Sequence, residues 1–450
     1  MNQDRIDLTS GSIPKTIWIL AWPMMMGNVL QTTFNVVDMI FVGKLGPEAI
    51  AAVAMSGIIL MLVITLIIGV ATGTTAMVAR FVGAKDYLEA NNVAMQSLII
   101  GTLGSTILAA FGILFSRPLL RIFGADTIVA DLGTDYLQIM FVGSITMFIL
   151  FLVGAILRGA GDALTPMLVL IFSTILNIIA DPLLIFGIGI FPRLEIRGAA
   201  IATVFARGIG MIIGLIILFR GYSYIHIKPK RFHVNFDIIK RIIKIAIPGS
   251  LEMSIRSVSG LILMSIVAFY GTYALAAYGI GLRINMVAMM PGFGLAAATA
   301  TLVGQNLGAK QPKRAEKSAR IAAGFYEIIM ITIGFLFFIF AREIIHFFNT
   351  NPEVIRLGAS FIRIISLSYV FLAMSIIFNR GLTGAGDTLS PMIITGVSVL
   401  GLRIPLALIL PKVTSLSITG IWLAIALSTV LEGTIIALWF NLGKWKHKKV

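Results

Sequence analysis

Residues 158–167 read Arg-Gly-Ala-Gly-Asp-Ala-Leu-Thr-Pro-Met, and residues 383–392 read Thr-Gly-Ala-Gly-Asp-Thr-Leu-Ser-Pro-Met. The step from 158 to 383 is 225 residues, half of a 450-residue chain. Other landmarks keep the same interval. Pro23 pairs with Pro248, Gly46 with Gly271, Ala51-Ala52 with Ala276-Ala277, and Gly83-Ala84-Lys85 with Gly308-Ala309-Lys310. Arg117 pairs with Arg342 and Phe123 with Phe348, and the register slips only near the end, where Gly198 pairs with Gly420. Matches spread this widely at one interval identify an internal duplication.

The solvent of this duplicated unit is lipid. The chain is 58% hydrophobic and 12% charged, against roughly 25% charged residues in a soluble domain. Twelve apolar stretches run from about 16–42 to about 418–441, each reaching the roughly 20 residues that a bilayer crossing needs. Backbone groups in hydrocarbon must bond within the protein, so such stretches are helices or a closed barrel. Uniformly apolar runs of this length lack a barrel's alternation. The expected fold is an all-α polytopic membrane protein of twelve transmembrane helices. Six crossings return the chain to its starting side, so the repeats are parallel. They form two six-helix bundles related by a pseudo-twofold axis along the membrane normal. The expected domains are an N-terminal lobe at 1–219, a basic cytoplasmic linker at 220–241 and a C-terminal lobe at 242–450.

The net charge of +15 does not point to nucleic acid, because the basic residues alternate with apolar spans as a topology signal does. They concentrate on the side that holds Arg5, Lys15, Arg80, Lys85, Arg158, the 220–241 linker and the segment around 310–320. Both termini are therefore expected in the cytoplasm of a multi-pass cell-membrane protein. The linker's basic character suits anionic headgroups. The absence of cysteine removes thiolate metal sites and disulfides, and His226, His233, His346 and His447 all fall in or beside loops. No signal peptide is expected in the polar residues 1–13. An intramembrane enzyme would need a nucleophile–base pair or a metal cluster inside the spans, and the spans offer neither.

Ionisable groups inside a membrane are costly, about 2.5–3.5 kcal/mol each on insertion scales, and mark candidate sites. In the first span Asn28, Gln31, Asn35 and Asp38 recur at intervals of three, four and three, which puts them on one helix face. In the fifth, Asn177 and Asp181 stand four apart, and Thr203 of the sixth lies at a depth where it can join them. Two carboxylates, an amide oxygen and a hydroxyl form a hard-oxygen set for a proton or for sodium. Asp38, Asn177, Asp181 and Thr203 are thus the expected cation-coupling residues, and the metal ligands if the ion is Na+. Gln31, Phe34, Asn35 and Met61 are the expected walls of a substrate cavity, and Pro23 the expected hinge. The duplication does not copy the acids: the interval takes Asp38 to Leu263 and Asn177 to Leu402. The second half offers Glu252 and Arg256 instead, spaced as a self-neutralising helical pair. Arg207, Arg403 and Glu432 are read as snorkelling or locally paired charges. The two Gly-Ala-Gly-Asp stretches read as turns whose aspartate caps the next helix near Pro166 and Pro391. They are not phosphate loops, for no Gly-Lys-Ser/Thr follows.

With the duplicated turn, the proline and late aspartate of the first span, and Asn177-x-x-x-Asp181, the chain resembles a multidrug and toxic compound extrusion (MATE) transporter of the DinF-type branch. The resemblance covers nearly the whole sequence. It implies a cation-coupled antiporter, driven by H+ or Na+, that exports organic, cationic amphipathic compounds by alternating access. It implies an N-lobe acidic site for the ion and a first helix that bends at Pro23. No other cofactor is expected, and the partners are drug-like solutes and the lipid bilayer around a monomer. A flippase for lipids or lipid-linked oligosaccharides is the alternative within the same superfold. It would need a more cationic cleft than these loop-clustered charges suggest.

Overall fold

The computed structural model describes residues 7–222, 224–228, 233–413 and 416–448. Part of the basic linker, residues 223 and 229–232, lies outside the described residues. The described chain is helical throughout. The first half contains α1 (Ile13–Gly43), α2 (Pro47–Gly83), α3 (Tyr87–Ile122), α4 (Thr127–Val142), α5 (Ser144–Gly159), α6 (Leu164–Phe186) and α7 (Glu195–Arg220). The second contains α8 (Phe236–Ala268), α9 (Thr272–Gly308), α10 (Pro312–Ile339), α11 (Ala341–Phe348), α12 (Pro352–Ser366), α13 (Tyr369–Gly384) and α14 (Leu389–Thr395). A π-helical segment, Gly396–Arg403, joins α14 to α15 (Ile404–Val413), and α16 (Thr419–Asn441) closes the repeat.

Among the described residues nine helical spans are long and apolar enough to cross a membrane, and two bent pairs raise the number to eleven. The pairs are α4 with α5, bent by 47°, and α12 with α13, bent by 56°. Each is one broken span at the same place in its repeat. The twelfth is α1, 31 residues long, whose apolar character is diluted by its row of amides and Asp38. The duplicated turns behave alike. Gly161 and Gly386 take φ values of 92° and 86°, a region that costs a side chain dearly and glycine little. The next residue then caps the following helix: Asp162 Oδ1 accepts from Thr165 N at 3.0 Å, and Asp387 Oδ1 from Ser390 N at 3.4 Å. The aspartates of the quoted phrases are structural, as their sequence suggested.

The chain divides into two compact units, Met26–Ser250 and Met1–Met25 with Leu251–Val450. Both divisions fall inside a helix, just past its proline: Pro23 in α1 and Pro248 in α8. The leading half of α8 packs in the first unit against α2. A Cβ on Gly69 would fall onto the Ser250 side chain and 2.6 Å from the Ala246 carbonyl oxygen. The leading half of α1 packs in the second unit against α9 by the same geometry. A Cβ on Gly294 would fall onto the Met25 side chain and 2.9 Å from the Ala21 carbonyl oxygen. Gly69 and Gly294 are themselves 225 apart in sequence. In lipid, close helix approach at small residues replaces the hydrophobic effect as the source of packing energy.

Gly294→Val is expected to destabilise the protein by about 1–3 kcal/mol, because the obstruction is backbone rather than a flexible side-chain tip. Gly279→Val on the same helix, where nothing lies within 4 Å, serves as the control and should change stability by roughly 0.5 kcal/mol or less. Thermal midpoints of the purified variants compare the two, and equal losses would remove the close contact as the cause.

Candidate functional site

Packing of α6 on α7 sets the depth of the site. A Cβ on Gly210 would collide with the Ser173 hydroxyl, and one on Gly198 with the Leu184 carbonyl group. These two crossings fix an antiparallel pair. Thr203, between Gly198 and Gly210, therefore lies at the level of Asn177 and Asp181, between Ser173 and Leu184. The trailing half of α1 runs alongside. A Cβ on Gly27 would lie 4.0 Å from Leu170 Cδ2, and Val42 shares an apolar cluster with Ile185, Ala199 and Ala200. That register places Asp38 beside Asp181. Asp38 is 9% exposed, Asn177 and Asp181 are wholly buried, and Thr203 is 3% exposed.

Within this set one hydrogen bond is made: Asn177 Nδ2 donates to Asp181 Oδ1 at 3.0 Å. Asp38 Oδ1, Asn177 Oδ1, Asp181 Oδ2 and Thr203 Oγ1 are all buried without a hydrogen-bond partner among the described residues. Leaving a buried polar atom unsatisfied costs about 1–3 kcal/mol, more when it is charged. Three of the four are acceptors only, and the hydroxyl can also accept. The arrangement is therefore short of positive charge or of hydrogen. A proton, a small hard cation or a water molecule would satisfy it, and an anion would not.

Two further residues belong to the site. The Arg207 guanidinium lies over the Phe34 ring, 5.2 Å from its centroid, and its Nη1 is 3.1 Å from Met147 Sδ. Its charge acts on Asp38, and the charge of Asp38 acts on Asp181. Tyr136 of α4, 5% exposed, lies within the electrostatic reach of Asp38, Asp181 and Arg207. Two carboxylates thus face one guanidinium. Arg207 was legible in principle, standing one helical turn beyond Thr203. Nothing local to α4 singles out Tyr136.

The other expected residues are distributed more widely. Phe34 is buried under Arg207, so its ring serves as the guanidinium's platform. Gln31 is half-buried and Asn35 exposed, with 3.5 Å from Gln31 Nε2 to Asn35 Oδ1. The polar row of α1 thus runs from accessible at Asn35 to buried at Asp38. Met61 of α2 is 53% exposed. Pro23 is buried in the leading half of α1, in the other compact unit.

The family model MatE matches residues 23–183 and again 248–409, one match in each half. A probable multidrug resistance protein NorM of Thermotoga maritima is 30% identical over 446 residues, covering 97% of this chain and 94% of its own. A protein of Shewanella oneidensis named FAD transporter is 28% identical, covering 96% and 95%. Among solved structures, a MATE protein in the bent conformation superposes with a TM-score of 0.92 at 26% identity, covering 98% of both chains.

An unpartnered buried hydroxyl costs stability in the absence of its ligand. Thr203→Val should therefore leave the ion-free protein equally stable or more stable, by up to about 1–2 kcal/mol. The same variant should show a smaller stabilisation by Na+ or by acid than the parent. Thermal unfolding of purified protein across sodium and pH series reads both effects, and a lower midpoint in the ion-free state would mean that the hydroxyl has a partner.

Proposed function

The chain belongs to the MatE family of membrane transporters, and on that premise we propose a cation-coupled antiporter of the DinF-type branch that exports organic amphipathic compounds. The observation that carries this reading is the set of four unpaired oxygens on Asp38, Asn177, Asp181 and Thr203. A transporter keeps such a costly set only if an ion visits it. The coupling ion is H+ or Na+. A proton suits a carboxylate oxygen, and sodium suits the mixed carboxylate, amide and hydroxyl oxygens. Cationic amphipathic solutes match the surplus negative charge of Asp38 and Asp181 over Arg207. One relative carries the name FAD transporter, which supports a cargo range wider than cations alone.

Antiport requires ion and solute to prefer different states of the protein. An ion bound at Asp38 and Asp181 neutralises the acids and fills the unpaired oxygens. Its charge then competes with a cationic solute for the same face of α1. That face continues through Asn35 and Gln31 toward Pro23, where the missing backbone N–H leaves the Ile19 carbonyl without its helical partner and lowers the cost of bending. The two ends of α1 belong to different compact units, so a bend at the proline relays ion occupancy from one to the other. With both termini cytoplasmic, the ion enters from outside and the solute leaves from inside, in a monomeric unit. One charge moving through 100 mV supplies about 2.3 kcal/mol. That sustains roughly a forty-fold gradient of a neutral solute, at about 1.4 kcal/mol per tenfold.

Efflux of a fluorescent organic cation from proteoliposomes, under separately imposed proton and sodium gradients, tests the proposal. One of the two gradients should drive export, and Asp38→Asn should reduce the driven rate at least tenfold while the protein still purifies as a folded species. Driven efflux at the parental rate in Asp38→Asn would remove Asp38 from coupling. Pro23→Ala should keep ion-dependent thermal stabilisation yet slow turnover several-fold, and unchanged turnover would remove the hinge.

A further inference from the structure

The unit formed by Met1–Met25 and Leu251–Val450 holds a second buried polar cluster of the opposite character. Arg256 of α8 donates to Glu252 Oε1 at 3.0 Å and to Glu432 Oε1 of α16 at 2.5 Å. Further donors converge on the same two oxygens. Asn379 Nδ2 reaches Glu252 Oε1 at 2.8 Å, and Ser375 Oγ and Thr395 Oγ1 each reach Glu432 Oε1 at 3.2 Å. The carboxylates here are well supplied. Glu252 and Arg256 do not merely neutralise each other, as their spacing alone suggests, because Glu432 shares the guanidinium.

The surplus in this unit lies with the donors. Arg403, at the end of the π-helical segment, is held by neutral hydroxyls, with Nε 2.7 Å from Ser428 Oγ and Nη2 3.4 Å from Thr429 Oγ1. Its charge acts on Glu432, which Arg256 already neutralises. Arg380 of α13 lies within electrostatic reach of Glu252 and Arg256, and its guanidinium makes no hydrogen bond among the described residues. Three guanidiniums therefore stand against two carboxylates. Ser398 Oγ, within the π-helical segment that carries Arg403, is wholly buried with no hydrogen-bond partner among the described residues. The indole Nε1 of Trp422 is buried and unpartnered too, in a ring stacked 5.7 Å from Tyr278, which lies within the electrostatic reach of Arg403. The cluster is open on one side: the Arg256 side chain keeps 38% of its surface exposed, against 3% for Glu432.

We infer that the cluster around Arg256, Arg380 and Arg403 is a binding site for an anionic group, a carboxylate or phosphate carried by a transported solute. A partly buried cation pays for lost hydration unless a counter-charge reaches it. The unused N–H groups of planar guanidiniums match the paired oxygens of carboxylate and phosphate. Ser398, on the segment that carries Arg403, and Trp422, on the helix that carries Glu432, hold further neutral donors unused among the described residues. The π-helical segment, a form frequently found at functional sites, carries Arg403 at its end. Its counterpart in the first half is the regular helix α6 that carries Asn177 and Asp181. The duplicated scaffold thus presents an acceptor-rich site in one unit and a donor-rich site in the other. The identification of the anion with cargo rests on the transport reading above, whereas its binding does not.

Binding to purified full-length protein in lipid nanodiscs, in Tris–HEPES buffer free of chloride, phosphate and carboxylates, tests the inference with inorganic phosphate, phenyl phosphate and neutral phenol as probes. Phenyl phosphate should bind at least tenfold more tightly than phenol. Arg403→Gln should bring it down to the level of phenol, and Arg380→Gln, whose side chain makes no hydrogen bond to lose, should weaken it at least three-fold. This binding is read at equilibrium with no ion gradient imposed, so failure of driven efflux would leave it standing, which separates this site from failure of the coupling mechanism. Equal affinity for phenyl phosphate and phenol, or unchanged affinity in both arginine variants, would overturn the proposal. Binding of inorganic phosphate without phenyl phosphate would do so as well, by assigning the cluster to a simple counter-ion.

Discussion

An oxygen that has been taken out of water and given no hydrogen is the interaction on which this molecule turns. In the hydrocarbon core, backbone groups close on themselves as helices, and side chains are left to find their own partners. Almost everywhere they do so locally. Thr32, Thr33, Thr72 and Thr102 each donate to the carbonyl one turn back. Four of the exceptions among the described residues gather at one depth, on Asp38, Asn177, Asp181 and Thr203. Their helices approach closely because Gly198 and Gly210 leave room. Dense packing and unmet polarity are therefore produced by the same contact. The backbones come near enough to exclude solvent, and the oxygens they bring along stay open to a small visitor.

Much of this could be read from residues alone, for identifiable reasons. The duplication, the spans and the capping role of Asp162 and Asp387 are local or periodic features, and periodicity survives in a linear string. The shared level of Asn177 and Asp181 follows from a spacing of four, and that of Asp38 from the polar row on α1. What stayed hidden was non-local. Tyr136 comes within electrostatic reach of the acids through tertiary packing, and no pattern on α4 betrays it. Glu252 and Arg256 look like a closed pair because helical spacing is visible, whereas Glu432 enters from 176 positions further on. Phe34 looks like an open aromatic wall until Arg207 is seen to cover it. The glycine at the α4–α5 break, Gly143, likewise packs on a distant side chain, since a Cβ there would strike Val204.

The halves have kept their backbones and parted in their chemistry. Matching turns, matching broken spans and matching glycines persist, while the buried charges do not correspond. Where α6 carries an amide and an acid, the helix after the second turn changes to π geometry and ends in Arg403. Two carboxylates face one guanidinium in the first unit, and two face three in the second. A fused duplicate is free to diverge in this way because each copy is guaranteed its partner, and neither must serve both roles.

Consider last the glycines at 69 and 294, each cradling the front of a helix whose remainder belongs to the opposite compact unit. Had a lone six-span polypeptide once carried this pattern, its opening helix would have had to be lent to a sister copy, giving a reciprocal, domain-swapped pair whose assembly depended on concentration. Joining two such copies end to end turns that loan into an intramolecular certainty. Cutting the gene at its midpoint would not release two self-sufficient proteins, since each fragment would leave its neighbour's glycine groove vacant.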